Sequence, residues 1–180
     1  MTEAGWVSVS EPYVRPRRPG EPEAWAHEAA RHGHVGTHRL LAVEEVQPPR
    51  RVAVALGLSE GETAVVRRRL VLVDEQPTEL ADSYYPATIA RGTGLAETRK
   101  IRGGAITLLK ELGYAAHSVE EGVSARPASQ EERELFGLEP GDWVLVLNRV
   151  LRTSDGTPVQ ADVMTMIAQD REVRYKTIIQ

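Results

Sequence analysis

Arg69 lies in the apolar run Val65-Val66-Arg67-Arg68-Arg69-Leu70-Val71-Leu72. Strand alternation puts Arg67 and Arg69 on one face with Val71, and turns Arg68 the other way with Leu70 and Leu72. An inward guanidinium must meet an anion or a carbonyl. Two partners suit Arg69: Asp82 or another core carboxylate, or the acidic or carbonyl group of a small ligand. Further along, Ser83-Tyr84-Tyr85-Pro86 suits a pocket rim that stacks on and hydrogen-bonds a small molecule, and suits ordinary strand packing equally. Gly103-Gly104, preceded by Lys100 and Arg102, is either an anion cradle of free backbone N–H groups or a bare helix start. Met164 and Met166 share a strand face, as core filling or as an adaptable apolar wall. His32, His34 and His38 cluster, but in a joint with Gly33 and Gly36. A metal needs a rigid, supported constellation, so the cluster reads as solvated linker, and no metal or cofactor is expected. No phosphate loop, nucleophile elbow or His-Glu-x-x-His motif occurs, so no catalytic residue is assigned.

Composition narrows the setting of this chemistry. The chain has 180 residues, 41% hydrophobic and 27% charged, which suits one globular domain or two fused halves. It has no cysteine, hence no disulfide framework, thiolate metal site or cysteine nucleophile. No apolar run approaches the roughly 18 residues of a membrane span, and the N-terminus lacks a signal-peptide core. A cytoplasmic location without membrane contact is expected. The net charge of -4 disfavours a DNA-binding face, and the basic runs at Arg15–Arg18 and Arg67–Arg69 are too short to reverse that.

The elements that would position these residues repeat. Leu56-Gly57-Leu58, Gly61, Val65, Val66 and Arg69 return 80 residues later as Phe136-Gly137-Leu138, Gly141, Leu145, Val146 and Arg149. Pro77 with Ala81-Asp82 returns as Pro158 with Ala161-Asp162, one residue dropped. Each copy predicts a short helix capped at its glycine, a long strand (Thr63–Val73 or Trp143–Thr153), a turn, and a return strand (Thr78–Tyr85 or Val159–Ile167). Ser129 and Glu132 form a capping box. Ala105, Leu108, Leu109 and Leu112 give a helix between the copies, and His117–Arg126 a strand. Arg39–Gln47 and Arg174–Ile179 complete about six strands. Residues 1–21, with Pro12, Pro16 and Pro19, read as an extended arm anchored by Trp6 and Tyr13; Glu21–Gly33 reads as a helix. The class is α+β: an antiparallel sheet with helices packed on it, built from a duplicated helix–strand–turn–strand unit.

Val65–Arg69, Asp74, Pro77, Leu80 and Ser83-Tyr84-Tyr85-Pro86, with Gly137-Leu138-x-x-Gly141 and Asp155-Gly156-x-Pro158-Val159, resemble the UbiC transcription regulator-associated (UTRA) domain of HutC-type GntR-family regulators. The resemblance spans roughly residues 38–180, leaving 1–37 as an arm and helix. It implies a chorismate-lyase-like fold, a small-molecule effector pocket between sheet and helices, and a homodimer. The stretch before it is too short for a winged helix-turn-helix, so no direct sequence-specific DNA binding is expected. Members that bind phosphorylated sugars carry Arg-x-Arg where this chain has Arg69 and Val71, and Glu where it has Ala81. They carry Ser-x-Tyr at Gly104 and Ile106, and Glu with a later Tyr at Gln160 and Met166. Loss of these groups leaves a buried phosphate unpaired, so a phosphorylated sugar is not the expected ligand. The resemblance implies Arg69, Ser83, Tyr84, Gly104, Ile106, Gln160 and Met166 as ligand-binding positions, Arg69 as anchor, and Tyr84, Ile106 and Met166 as walls. An enzyme on a chorismate-lyase-like scaffold is the alternative from another class.

Overall fold

The computed structural model describes residues 6–18, 20–169 and 171–175. In chain order the elements are β1 (Trp6–Ser8), α1 (Glu11–Val14), α2 (Ala24–Arg31), β2 (Gly36–Val46), α3 (Arg50–Leu56), β3 (Ala64–Val73), β4 (Gln76–Pro86) and α4 (Ala87–Ala90). After a 3-10 turn at Gly94–Ala96 come α5 (Ala105–Glu111), β5 (Ser118–Pro127), α6 (Gln130–Phe136), β6 (Trp143–Arg152), β7 (Pro158–Ile167) and β8 (Arg171–Val173). Six strands make one sheet in the order β2-β3-β4-β7-β6-β5, antiparallel throughout. β1 and β8 form a separate parallel pair that joins the arm to the segment after the sheet.

That order carries the duplication further than the sequence repeat shows. Each half is a strand, a helix and a hairpin: β2-α3-β3-β4 and β5-α6-β6-β7. The outer strand belongs to the repeat, and the two return strands meet at the centre. The helices stop at matching glycines, Gly57 (φ 66, ψ 28) and Gly137 (φ 67, ψ 36), in the left-handed region that a side chain disfavours. α6 has its capping box: Glu132 N donates to Ser129 Oγ (3.2 Å) and Ser129 N to Glu132 Oε2 (2.8 Å).

The paired aspartates of the repeat are not structural equivalents. Asp82 lies opposite Arg68, whereas Asp162 lies opposite Arg149. The second hairpin is shifted by one residue, and a one-residue shift exchanges sheet faces. Asp82 therefore points to one side of the sheet and Asp162 to the other.

α3 packs on one face, where Val52, Leu56, Ala64, Val66, Tyr84 and Ala161 are buried together. Beside it, Ala128, Val144 and Val146 form a smaller cluster. The opposite face buries Val65, Tyr85, Ile89, Leu95, Leu109 and Leu151, bringing α4, the 3-10 turn and α5 onto the sheet. The arm is not wholly extended: Pro12 near the start of α1 supports one helical turn, since its fixed φ suits a first turn. The strand expected at Arg174–Ile179 falls largely outside the described residues; the described strand there is β8.

Candidate ligand cavity

Strand pairing sets the cavity floor in rows. Arg67, Ser83, Asp162, Arg149 and Glu121 face one another across five strands, so charge alternates along that row. The next row is Arg69, Ala81, Met164 and Leu147; the next is Val71, Glu79, Met166 and Leu145. Over these rows lies a cavity of about 790 Å³, walled by the arm, α2, the start of β2 and the start of α5. Its size falls in the range of small-molecule sites.

The three consecutive arginines have different fates. Arg67 is buried and ties down the loop after α4, donating to the carbonyls of Gly94, Leu95, Glu97 and Arg99 at 2.6–3.3 Å. Arg68, on the other face, forks onto Asp82 (Nε–Oδ1 2.9 Å, Nη2–Oδ2 2.8 Å). The carboxylate partner weighed for Arg69 thus belongs to Arg68. Arg69 is half-buried on the cavity floor and donates from Nη2 to Ser83 Oγ at 2.9 Å. Its Nε is buried and has no hydrogen-bond partner among the described residues.

Of the other expected positions, Gly104, Ile106, Gln160 and Met166 line the cavity, as does Met164. Gln160 donates from Nε2 to both oxygens of Asp162 (2.8 and 2.9 Å), which fixes the amide orientation and leaves Oε1 buried without a partner among the described residues. Ser83 is buried under Arg69 and does not line the cavity. Tyr84 requires a correction: it pairs with Val66 and packs against Val52 and Leu56 on the far face. Strand parity decides this, because Ser83 and Tyr84 are neighbours and cannot share a face. Tyr85 is the tyrosine of this strand that lines the cavity, its phenol pushed up to about 12, chiefly by burial. Of the two readings of Gly103-Gly104, anion cradle or bare helix start, the geometry favours the second at Gly104. Gly104 N donates to Ile101 O (3.0 Å), and Arg17 from the arm sits at the opening, its Nε donating to Gly103 O at 2.9 Å.

Several cavity residues escaped the sequence reading. Glu79 follows from parity with Ala81; burial raises its pKa, while Arg171, Arg149 and Arg69 oppose that. His38 is a cavity residue and not part of a solvated linker. It faces Glu23 at 3.2 Å inside the cavity, its pKa lowered first by burial, while His34 binds Asp74 at 2.6 Å. Trp25 lines the wall and donates from Nε1 to Leu72 O at 2.9 Å. The arm supplies Val9, Ser10, Pro12, Tyr13, Arg15 and Arg17. Tyr13, expected as an anchor, donates to Glu28 Oε2 at 2.6 Å; the side chain of Trp6 lies outside the described set. Among the described residues no group of three acidic or histidine side chains is placed to hold a metal, and no helix is long and apolar enough to cross a membrane.

Comparison with known proteins adds three findings. The family model for the UTRA domain matches residues 31–170. Curated relatives include an HTH-type transcriptional regulator of Streptomyces coelicolor, 40% identical over 66% of this chain and 45% of its own length. Another, from Mycobacterium tuberculosis, is 31% identical over 76% of this chain and 49% of its own. The chain thus spans about half the length of these relatives. Among solved structures, the ligand-binding domain of a GntR-family regulator from Bordetella bronchiseptica superposes with TM-score 0.67 at 25% identity, covering 92% of this chain and 95% of that one. The effector domain of PhnF from Mycobacterium smegmatis gives 0.70 at 18% identity, covering 92% and 99%, a likeness of fold.

Proposed function

The chain belongs to the UTRA domain family, and from that premise we propose that it is a regulatory effector-binding domain of the HutC type, working in the cytoplasm as a homodimer. Its cavity takes a moderately apolar molecule with one acidic or carbonyl group, anchored by Arg69. The observation that carries this reading is the Arg69 guanidinium on the cavity floor, which among the described residues has one side-chain hydrogen bond and a buried, unpartnered Nε. Buried polar groups without partners are uncommon, and a ligand is one cause of them. Beside Arg69 the floor carries the apolar side chains Val71, Ala81, Met164 and Leu147, set between the charged row of Arg67, Asp162 and Arg149 and the carboxyl of Glu79. The apolar side chains suit a hydrocarbon body, and the positions that pair the phosphorylated sugar in other members hold Val71, Ala81, Gly104, Gln160 and Met166 here, so a phosphorylated sugar is a poor fit. Dimerisation finds support in β5, an edge strand of ten residues with Val119 and Val123 exposed. The acidic balance supports regulation without DNA reading by these residues themselves.

Native mass spectrometry of the protein purified from its own host tests the ligand class directly. A retained small carboxylic acid, or a neutral carbonyl compound of similar size, is expected. A hexose phosphate retained instead, and displaced by Arg69→Ala, would overturn the proposal.

A further inference from the structure

We propose that the arm segment Val9–Arg17 is part of the ligand site and that Arg17 is its second anion-binding group, so that the cavity takes a carboxylate reached by guanidinium groups from two separate parts of the chain. This rests on the reading of the cavity as an effector site. The arm lies ahead of the segment matched by the family model, which begins at residue 31. Yet it is fastened to the cavity wall at both ends. Ser10 Oγ donates to Glu121 Oε2 (2.8 Å) and accepts from Arg149 Nη2 (3.2 Å). Arg17 N donates to Thr107 Oγ1 (3.1 Å), and Arg17 Nε to Gly103 O (2.9 Å).

Elimination among the cavity's cations singles out Arg17 and Arg69. Lys100 is held by Glu23 at 2.6 Å, Arg15 by Glu21 (Nη1–Oε2 3.1 Å), and Arg149 by Glu121 at 2.5 Å. Arg67 is spent on four backbone carbonyls. Arg17 reaches Glu23 only at 3.9 Å, beyond hydrogen-bonding distance, and neither of its terminal nitrogens has a hydrogen bond among the described residues. The cavity's carboxylates are engaged in turn. Glu23 meets Lys100 and His38, Asp162 receives the Gln160 amide, and burial favours the neutral form of Glu79. What remains open is donor capacity on two guanidinium groups, and a carboxylate matches that fork geometry. The site also makes room for Arg17. Gly104 has φ +87, and a Cβ there would lie 2.9 Å from Arg17 Nη2, so only glycine lets the guanidinium rest against the backbone.

The test uses a series of monocarboxylates from acetate through benzoate to naphthoate, each with its neutral amide, in thermal-shift and calorimetric titrations of the whole chain. Wild type, Arg17→Met, Arg17→Lys and Arg69→Ala are compared, with ligand-free melting curves as the fold control. The best acid should bind wild type and its amide should not. Arg17→Met should weaken it about tenfold or more, the low end for a hydrogen bond to a charged group, and Arg17→Lys less. Hydrogen exchange should show residues 9–17 slowed by the acid in wild type and not in Arg17→Met. An acid that binds wild type and Arg17→Met equally, while failing on Arg69→Ala, overturns the role of Arg17 and leaves the effector reading intact. Failure of every acid to bind wild type overturns both.

Discussion

Arg69→Ala should weaken binding of an acidic ligand by about 1.5–3 kcal/mol, the value of a hydrogen bond to a charged group. Arg68→Ala should leave binding unchanged and lower stability by about 1 kcal/mol, since it strips Asp82 of a forked partner that is itself partly exposed. Paired titrations and urea melts separate the two effects; equal loss of affinity in both variants would make Arg69 a structural residue. Away from the cavity, Glu132 titrates far from its ordinary range. The forked hydrogen bonds from Arg126 first, and then the Ser129 backbone N–H, hold its carboxyl at about 2 against their opponent, burial. A carboxyl depressed on folding contributes stability above its ordinary pKa of 4.5 and loses it as pH falls toward about 2. Glu132→Gln should be less stable than wild type at neutral pH and should show a shallower decline through that acid window, measured by denaturant midpoints. At this scale the sequence was legible as far as parity was applied. Arg67, Arg68 and Arg69 sort as alternation requires. The same rule applied one strand on would have exchanged Tyr84 for Tyr85 and added Glu79. Arg17 had no such signal, because a proline-rich arm has no period to read.

The duplicated unit was visible through its glycines and prolines, which mark caps and turns that tolerate few other residues. Its register was not, because the two hairpins turn differently. Val73 pairs with Gln76 across a two-residue loop in which Asp74 (φ 46) and Glu75 (φ 67) both take the left-handed conformation. The second hairpin spans Thr153 to Thr157, with the positive φ at Gly156. Two left-handed residues match the twist of a hairpin, but side chains pay for that conformation. Glu75→Gly should therefore stabilise the protein by about 1 kcal/mol, read as a raised urea midpoint with an unchanged slope. Asp74 is a different case. It accepts from Val35 N at 2.8 Å and binds His34, so it also ties the start of β2 to the turn, and replacing it should destabilise despite the relief of strain.

For the whole molecule, the six-stranded sheet is open and has two edges, β2 and β5. α2 packs against β2, whereas β5 is exposed along almost its full length. Sedimentation at micromolar concentration should give a dimer, and Val123→Lys on β5 should shift it toward monomer if that edge is used. A monomer at every concentration would remove the homodimer from the proposal. Binding to DNA should remain non-specific, weakening steeply with salt; a preferred site with Kd near 10⁻⁸ M at about 150 mM salt would contradict it. The sheet and its helices were predictable because repeated apolar periods specify them. The cavity was only half predictable. Its floor is written in strand alternation, while its roof comes from contacts between segments far apart in the chain, such as Ser10 with Glu121 and Arg17 with Gly103.

The indole of Trp25 is part of that wall, nearly sealed from solvent and bonded to a strand carbonyl, whereas Trp143 is half exposed. The two should emit at different wavelengths, the first blue and the second red. With Trp6 and Trp143 replaced by Phe, the remaining emission would come from a chromophore built into the site. Occupancy could then be followed optically, without any label, and an aromatic acid absorbing near the indole emission would quench it directly by energy transfer.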